Sequence, residues 1–470
     1  MRDYLVACIL GLGLVSCGGG GNSSPDARPR ADAAPPADGP GADAGGCVPT
    51  SPTKTAVTCG SGAQSNIEHL VVVVQENHSF DNYFGKWCTA ATGSSPTCTS
   101  GPSCCEAAPD VAPGASSSSP IALDDTANGA FDPNHTFDCN LTQVNGGAMD
   151  GFVEGGSGCA DAKNFAYADP STGPAAPYVT YAQSYALADQ YFQPVLGASS
   201  SNDMYFARAH FVFKDNTVGT NSIGGRCGFG GPAGTDYTDK TIADILNDCS
   251  VTWSWYGGGY DNMVTAVNGS SCPAAETGCH VNFQAYPCIY DPTDVPFQYY
   301  PSLQDKPANF KDITKFTADI TNGTLPSVSF VKAIGFRTEH PGFQNTISEG
   351  ATFVTGIVDA VLNSNTYKDN TLILLVYDEG GGYFDHVAPP PTSAVDCHPY
   401  GVRTIFMALG PMAKSNYISH VTMEHSSIVK FIEWNWLSGE TGQLGTRDTE
   451  VNNIGDMIDS TAAGATVPAN

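Results

Sequence analysis

The sequence predicts an α/β fold, a doubly wound and mostly parallel sheet with helices on both faces. Two patterns carry the prediction. Continuous runs of β-branched and other apolar residues, without the polar alternation of half-exposed strands, mark strands buried on both sides. Between them lie longer segments with apolar residues at helical spacing, and strands alternating with helices define a layered α/β domain.

The first run, residues 67–74, is Ile-Glu-His-Leu-Val-Val-Val-Val, and similar runs recur at 251–256, 327–331, 371–377 and 403–409. Helical patterns occupy 178–191, 201–213, 241–247, 310–320, 346–362 and 425–436. Two stretches interrupt the alternation. One runs from Trp87 to about Pro120, with Cys88, Cys98, Cys104, Cys105 and a serine run; the other runs from Gly257 to Pro307 and is rich in Gly, Cys, Pro and Tyr. Both read as cross-linked surface insertions.

The chain of 470 residues is long enough to bury a full core, and 41% of it is hydrophobic. Twenty Lys and Arg stand against 47 Asp and Glu, a net charge of −27. A polyanion is repelled by nucleic acid, so nucleic-acid binding is excluded as the main activity, and a phosphate site needs a metal or local cations. Sixteen cysteines are present. Setting aside Cys8 and Cys17 leaves an even number outside any zinc-ribbon spacing, which implies an oxidising compartment with up to seven disulfides.

The N-terminus reads as an address. An apolar run at 4–15 behind Arg2 is too short to span a bilayer and reads as a signal peptide. Leu14-Val15-Ser16-Cys17 resembles the bacterial lipobox, which makes residues 1–16 a lipoprotein signal and Cys17 the lipidated first residue of the mature chain. An ordinary secretory signal is the alternative. Residues 17–58, mainly Gly, Ala, Pro and Asp after the cysteine, are expected to form a flexible tether, and 59–470 the folded domain. Gly18 rather than Asp after Cys17 points to the outer membrane of a Gram-negative envelope.

Functional residues in such sheets gather beyond the carboxyl ends of strands. Two strand ends stand out: Gln75-Glu76-Asn77-His78-Ser79-Phe80-Asp81 after the first, and Asp378-Glu379-Gly380 through Asp385-His386-Val387 after a later one. Carboxylates at the tip of an apolar strand are costly unless a cation neutralises them. A single such site would read as a helix cap; two favour a shared metal.

These motifs resemble the bacterial phosphoesterase family, which contains phospholipases C and acid phosphatases within the alkaline-phosphatase-like superfamily. Residues 72–85 resemble its opening block. Asp132-Pro133-Asn134-His135 with 145–152, then 188–202, Glu339-His340-Pro341, 378–387 and 425–433 resemble further blocks in order. The resemblance covers about residues 66–459 and implies an exported, metal-dependent phosphoester hydrolase. It implies one divalent metal (Mg, Mn, Ca or Zn) held by Glu76, Asn77, Ser199, Asp378 and Glu379. Ser199 is then also the nucleophile, flanked by Ser200 and Ser201, and His135 and His340 sit around the phosphoryl group. A serine hydroxyl needs such activation, and a leaving alkoxide needs a proton that histidine can supply. His386 and His425 are candidates to line the pocket or hold a second metal, with a structural hydrogen-bonding role as the alternative.

The sequence departs from the family pattern at two places. His78 stands where arginine is usual, and Ser201-Asn202-Asp203 where proline, asparagine and a basic residue are usual. Losing two cations disfavours dianionic monoesters, so cleavage of phosphodiesters in the manner of phospholipase C, with phospholipid as substrate and a membrane reached through Cys17, is favoured over acid phosphatase action. The rival from another class is a non-catalytic surface lipoprotein with the same fold. Its weakness is that a dead protein has no need of costly buried carboxylates.

Overall fold

Four consecutive valines, Val71 to Val74, are fully buried yet point alternately to opposite sides. Val72 and Val74 pack in one apolar core with Leu374 and Val376, whereas Val71 and Val73 pack in another with Ile373 and Leu375. A strand with a core on each face belongs to the middle of a sheet covered on both sides. The computed structural model describes residues 47–49, 56–115, 117–155, 158–227 and 234–470; the signal peptide, Cys17 and most of the tether lie outside the described residues.

The strands, in chain order, are β1 (His69–Gln75), β2 (Ile121–Ala122), β3 (Ala166–Tyr167), β4 (Ala186–Ala188), β5 (Trp253–Gly257), β6 (Phe310–Asp312), β7 (Val328–Lys332), β8 (Thr371–Tyr377), β9 (Phe406–Leu409) and β10 (Tyr417–Ser419). Eight form one sheet in the order β10-β4-β9-β8-β1-β7-β5-β6, and β2 pairs with β3 apart from it. Within the eight-stranded sheet, β9 is antiparallel to both its neighbours, and the other pairings are parallel. The helices Ser199–Arg208 and His425–Trp436 contribute to the first core, Ala176–Ser184 and Ile347–Leu362 to the second. The doubly wound architecture is as the sequence predicts.

Three elements differ from expectation. Residues 178–191 split into the helix Ala176–Ser184 and strand β4, because Ala186-Leu187-Ala188 is held between β9 and β10; strand pairing overrides alanine's helical preference. Residues 310–320 begin as β6, and the Asp312 carboxylate then accepts from the Thr314 backbone N–H at 3.0 Å and starts the helix Thr314–Asn322. The helix expected over 201–213 runs from Ser199 to Arg208 and stops where Ala209 turns left-handed, at φ 51°.

Seven disulfides link Cys47–Cys397, Cys59–Cys249, Cys88–Cys105, Cys98–Cys104, Cys139–Cys159, Cys227–Cys272 and Cys279–Cys288. Two staple the first insertion and one closes a loop within the second. Cys47, inside the stretch read as tether, is bonded to the domain. No helix among the described residues is long and apolar enough to cross a membrane.

With every cysteine from Cys47 onward in a bond, denaturation without reductant should expose none of them to iodoacetamide. Mass spectrometry after reduction should show all fourteen alkylated. Labelling of any of them before reduction would break this pairing.

Candidate active site

β1 and β8 are neighbours in register, Gln75 opposite Tyr377, so their next residues emerge side by side. Asn77 leaves β1 in the left-handed region, at φ 66°, a conformation that asparagine tolerates better than most residues. Its backbone N–H donates to Asp378 Oδ1 at 3.1 Å, joining the two strand ends directly. Glu76, Asn77, Asp378 and Glu379 are all buried.

Ser199 is the first residue of the helix Ser199–Arg208, and Ala198 before it offers no side-chain cap. Its Oγ lies 3.4 Å from Asn77 Oδ1 and close enough to Asp378 to help hold that carboxyl down. The adjacent serines are engaged elsewhere: Ser200 Oγ donates to Asp294 Oδ1 at 3.1 Å and Ser201 Oγ to the Ala198 carbonyl at 2.7 Å. Gly197 makes the turn into this helix at φ 114°, and a Cβ there would meet Asp215 Oδ1 at 2.4 Å. Only glycine fits that turn.

Lys332, at the end of β7, is the cation that the sequence motifs do not reveal. Its Nζ lies 2.7 Å from Glu76 Oε1, 3.1 Å from Asp203 Oδ2 and 3.8 Å from Asp294 Oδ2. Burial works against its charge, but Asp203, Glu76, Asp294 and Asp378 outweigh burial and hold its pKa well above the ordinary value. The acidic residue at 203, where a basic one is usual, is thus matched by a lysine from β7. Tyr286 and Thr338 complete the Glu76 shell, donating to Oε2 at 2.6 and 2.7 Å. A lysine ending an apolar strand was the available signal for Lys332; Tyr286 lies in an insertion and carries none.

His135 joins the cluster from the loop before the helix Phe137–Val144. Its Nδ1 lies 2.8 Å from the Pro133 carbonyl, which leaves Nε2 to accept from Asn77 Nδ2 at 3.3 Å, with Glu379 Oε1 at 3.8 Å. His340 stands beside it, ring centroids 5.8 Å apart, with Nδ1 2.7 Å from the Pro341 carbonyl. Ligand atoms of Asp132, His135 and His340 lie within 4.8 Å of one another, a geometry that also suits a metal ion.

The other histidines are placed differently. His425 Nε2 lies 2.7 Å from the Asp378 carbonyl oxygen and Nδ1 2.9 Å from the Tyr191 hydroxyl, while the ring stacks on Phe206. Burial lowers its pKa to about 3, so it is neutral and fixes the backbone of Asp378. His386 Nδ1 lies 2.8 Å from Asp81, and Arg403 bridges Asp81 and Asp385 at 3.0 and 2.9 Å. These four residues tie the opening block to the loop between β8 and β9, and Asp81, Asp385 and His386 form a second group with metal-like spacing. His78 stacks on Tyr383; burial lowers it to about 3, so it supplies no charge where arginine is usual.

The five residues expected to hold a metal fit a hard dication chemically, since all offer oxygen. Asp378 Oδ2 is buried without a well-formed hydrogen bond, and burial pushes the Asp378 carboxyl up to about 6. Both are what a carboxylate awaiting a cation displays. Glu76 is the least committed to such a role, because Lys332, Tyr286 and Thr338 already face it.

The family model of the phosphoesterase family matches residues 67–437. The chain belongs to the phosphoesterase family, hydrolases of phosphoric esters. Phospholipase C B of Mycobacterium tuberculosis is 24% identical over 79% of this chain and 73% of its own. Non-hemolytic phospholipase C of Burkholderia pseudomallei is 23% identical over 79% of this chain and 55% of its own. Non-specific phospholipase C6 of Arabidopsis thaliana is 25% identical over 72% and 58%. A solved structure in the alkaline phosphatase superfamily from Vibrio parahaemolyticus aligns over 88% of this chain and 78% of its own, at 10% identity and a TM-score of 0.37, too distant to bear on the site.

Glu339 precedes His340 and is fully buried, with Tyr83 and Tyr377 each donating at 2.6 Å, Tyr178 closer still, and Gln75 at 3.3 Å. Burial outweighs these donors and raises its pKa to about 7. An acid raised in the folded state contributes stability that is complete below its unfolded pKa and lost as pH rises through the folded value. From pH 4.5 to 7.5 the wild type should therefore lose on the order of 3 kcal/mol more than Glu339→Gln, read by denaturant unfolding. Parallel declines would contradict this.

Proposed function

We propose that the chain is a phosphoester hydrolase of phospholipase C type, with Ser199 as nucleophile. The observation that carries the reading is the position of Ser199 Oγ, at a helix start and 3.4 Å from Asn77, beside the joined ends of β1 and β8. The relatives named as phospholipases C support the substrate class.

In this mechanism Ser199 Oγ bonds to phosphorus while the bond to the leaving alkoxide breaks in line with it. Nε2 of His340 or His135, left unprotonated by the Nδ1 contact with a proline carbonyl, takes the Ser199 hydroxyl proton as Oγ attacks and passes it to the leaving alkoxide, then takes a proton from the attacking water and returns it to Ser199 Oγ. Water then attacks phosphorus and Ser199 Oγ leaves. Asn77, Ser199, Asp378 and Glu379, with Glu76 at the edge, would hold a divalent ion, which when bound supplies a Lewis acid for the alkoxide and the phosphoryl oxygens. Lys332 stays engaged with Glu76 and Asp203 and sets their charge; it is a positioning residue.

Phosphodiesters are the favoured substrates. A monoester dianion meets a chain of net charge −27 whose one cation at this cluster is already ion-paired, whereas a zwitterionic headgroup escapes most of that repulsion. Lipidation at Cys17 would hold the enzyme beside phospholipid in the cell envelope.

Ser199→Ala should reduce turnover by at least about 1000-fold while leaving the thermal midpoint nearly unchanged, and Ser200→Ala should retain measurable activity. An inactive Ser200→Ala beside an active Ser199→Ala would move the nucleophile by one residue. A matched aryl monoester and diester, compared at low and high salt, tests the class. A tenfold monoester preference that survives high salt, where long-range repulsion is screened, would assign the chain to the acid phosphatase side of the family.

A further inference from the structure

A phospholipase C reaction leaves the apolar part of its substrate to be accommodated. Beside the helix Phe137–Val144 lies a cavity of about 340 Å³, within the range usual for small-molecule sites. Phe137, Leu141 and Val144 line it from that one helix, and Leu196, Pro390 and Tyr400 line it from other segments. None of its lining residues is charged, in a chain of 47 acidic side chains. We infer that this groove takes an acyl chain of the glycerophospholipid substrate. The inference rests on the function proposed above and adds the residues that recognise the apolar part.

Continuity with the catalytic cluster selects this occupant. Leu196 lies three residues before Ser199, and Phe137 two residues after His135. A single carboxylate oxygen, Asp215 Oδ1, accepts from the Phe137 backbone N–H at 2.7 Å and from the Ala198 N–H at 3.2 Å, so the groove wall and the start of the nucleophile helix are fastened at one point. Between them Gly197 abuts Phe137, where a Cβ would lie 3.3 Å from the phenylalanine Cβ. A chain attached to a phosphate at Ser199 would thus meet an uncharged lining whose Phe137 is fastened to the start of the helix that carries Ser199.

The groove is preformed. Pro389, Pro390 and Pro391 have fixed φ and cannot relax inward cheaply. Behind it, Val144 and Leu196 pack with Met149, Phe152, Phe165 and Phe384 in a core of their own, which keeps the wall from collapsing into the opening. Cys397, also on its lining, is bonded to Cys47.

The test uses monomeric short-chain phosphatidylcholines from dibutanoyl to diheptanoyl, with an aryl phosphodiester as the acyl-free reference. Each methylene buried is worth roughly fourfold in affinity, so kcat/KM should climb several-fold per added carbon until the groove is filled. Leu141→Asp, on a half-buried position, should flatten the climb and lower the ratio of diheptanoyl to aryl kcat/KM at least tenfold. Pro390→Glu, on another segment of the lining, should do the same. Binding of dihexanoylglycerol to Ser199→Ala, with and without Leu141→Asp, reads the groove without turnover. Loss of all phosphodiester turnover in the wild type with this binding difference intact would refute the proposed function and leave the groove assigned. Equal binding, or chain-length slopes equal in wild type and both variants, would overturn the groove and show that it serves another occupant, such as the chain's own N-terminal segment.

Discussion

Four carboxylates, those of Glu76, Asp203, Asp294 and Asp378, are buried around one lysine, Lys332, with Glu379 buried next to Asp378. A low-dielectric interior does not tolerate such an excess of negative charge without a partner. Lys332 neutralises the part nearest Glu76, and burial still drives the Asp378 and Asp294 carboxyls above their ordinary range. The rest of the structure follows from this concentration of charge. β1 and β8 bring Glu76, Asp378 and Glu379 to one place, the helix Ser199–Arg208 and the Pro292–Asp294 turn bring Asp203 and Asp294, and the dication we propose would complete the balance.

The surrounding framework is built from buried polar groups that brace one another. His425 anchors the carbonyl of Asp378, and Tyr191 anchors His425. Arg403 clamps Asp81 to Asp385, so the loops after β1 and β8 cannot move independently. Three tyrosines enclose Glu339, which sits in the left-handed region at φ 73° and sets the direction of His340. A buried pair or cage of this kind adds little net stability but makes removal of one partner costly, typically about 3–5 kcal/mol. Its effect is to hold Asn77, Asp378, His135 and His340 in one arrangement.

Much of this was legible in the sequence, because local patterns encode it. The valine run and the apolar run of β8 gave the two central strands, and the acidic residues after them pointed to the candidate site, since charge at the tip of an apolar strand is conspicuous. What was illegible depends on tertiary pairing. β4, β6 and β10 are three residues each, too short for periodicity to separate from helix or loop. Lys332 contacts Asp203 and Glu76, which lie 129 and 256 residues before it, and a lone lysine does not announce such partners. His386 and His425 stand in recognisable blocks, yet only coordinates separate a histidine that faces substrate from one that braces a loop. The disulfide pairing was equally beyond reach, because spacing does not determine connectivity.

Metal content tests the account most directly. Purified protein, dialysed against a trace of divalent cations and analysed by elemental mass spectrometry, should retain one ion per chain. Asp378→Asn and Glu379→Gln should lose it while keeping the fold by circular dichroism, and exhaustive chelation should abolish hydrolysis until an ion is restored. Full activity in a chain that retains no ion after chelation would contradict the account, because the buried acids would then be balanced within the protein alone.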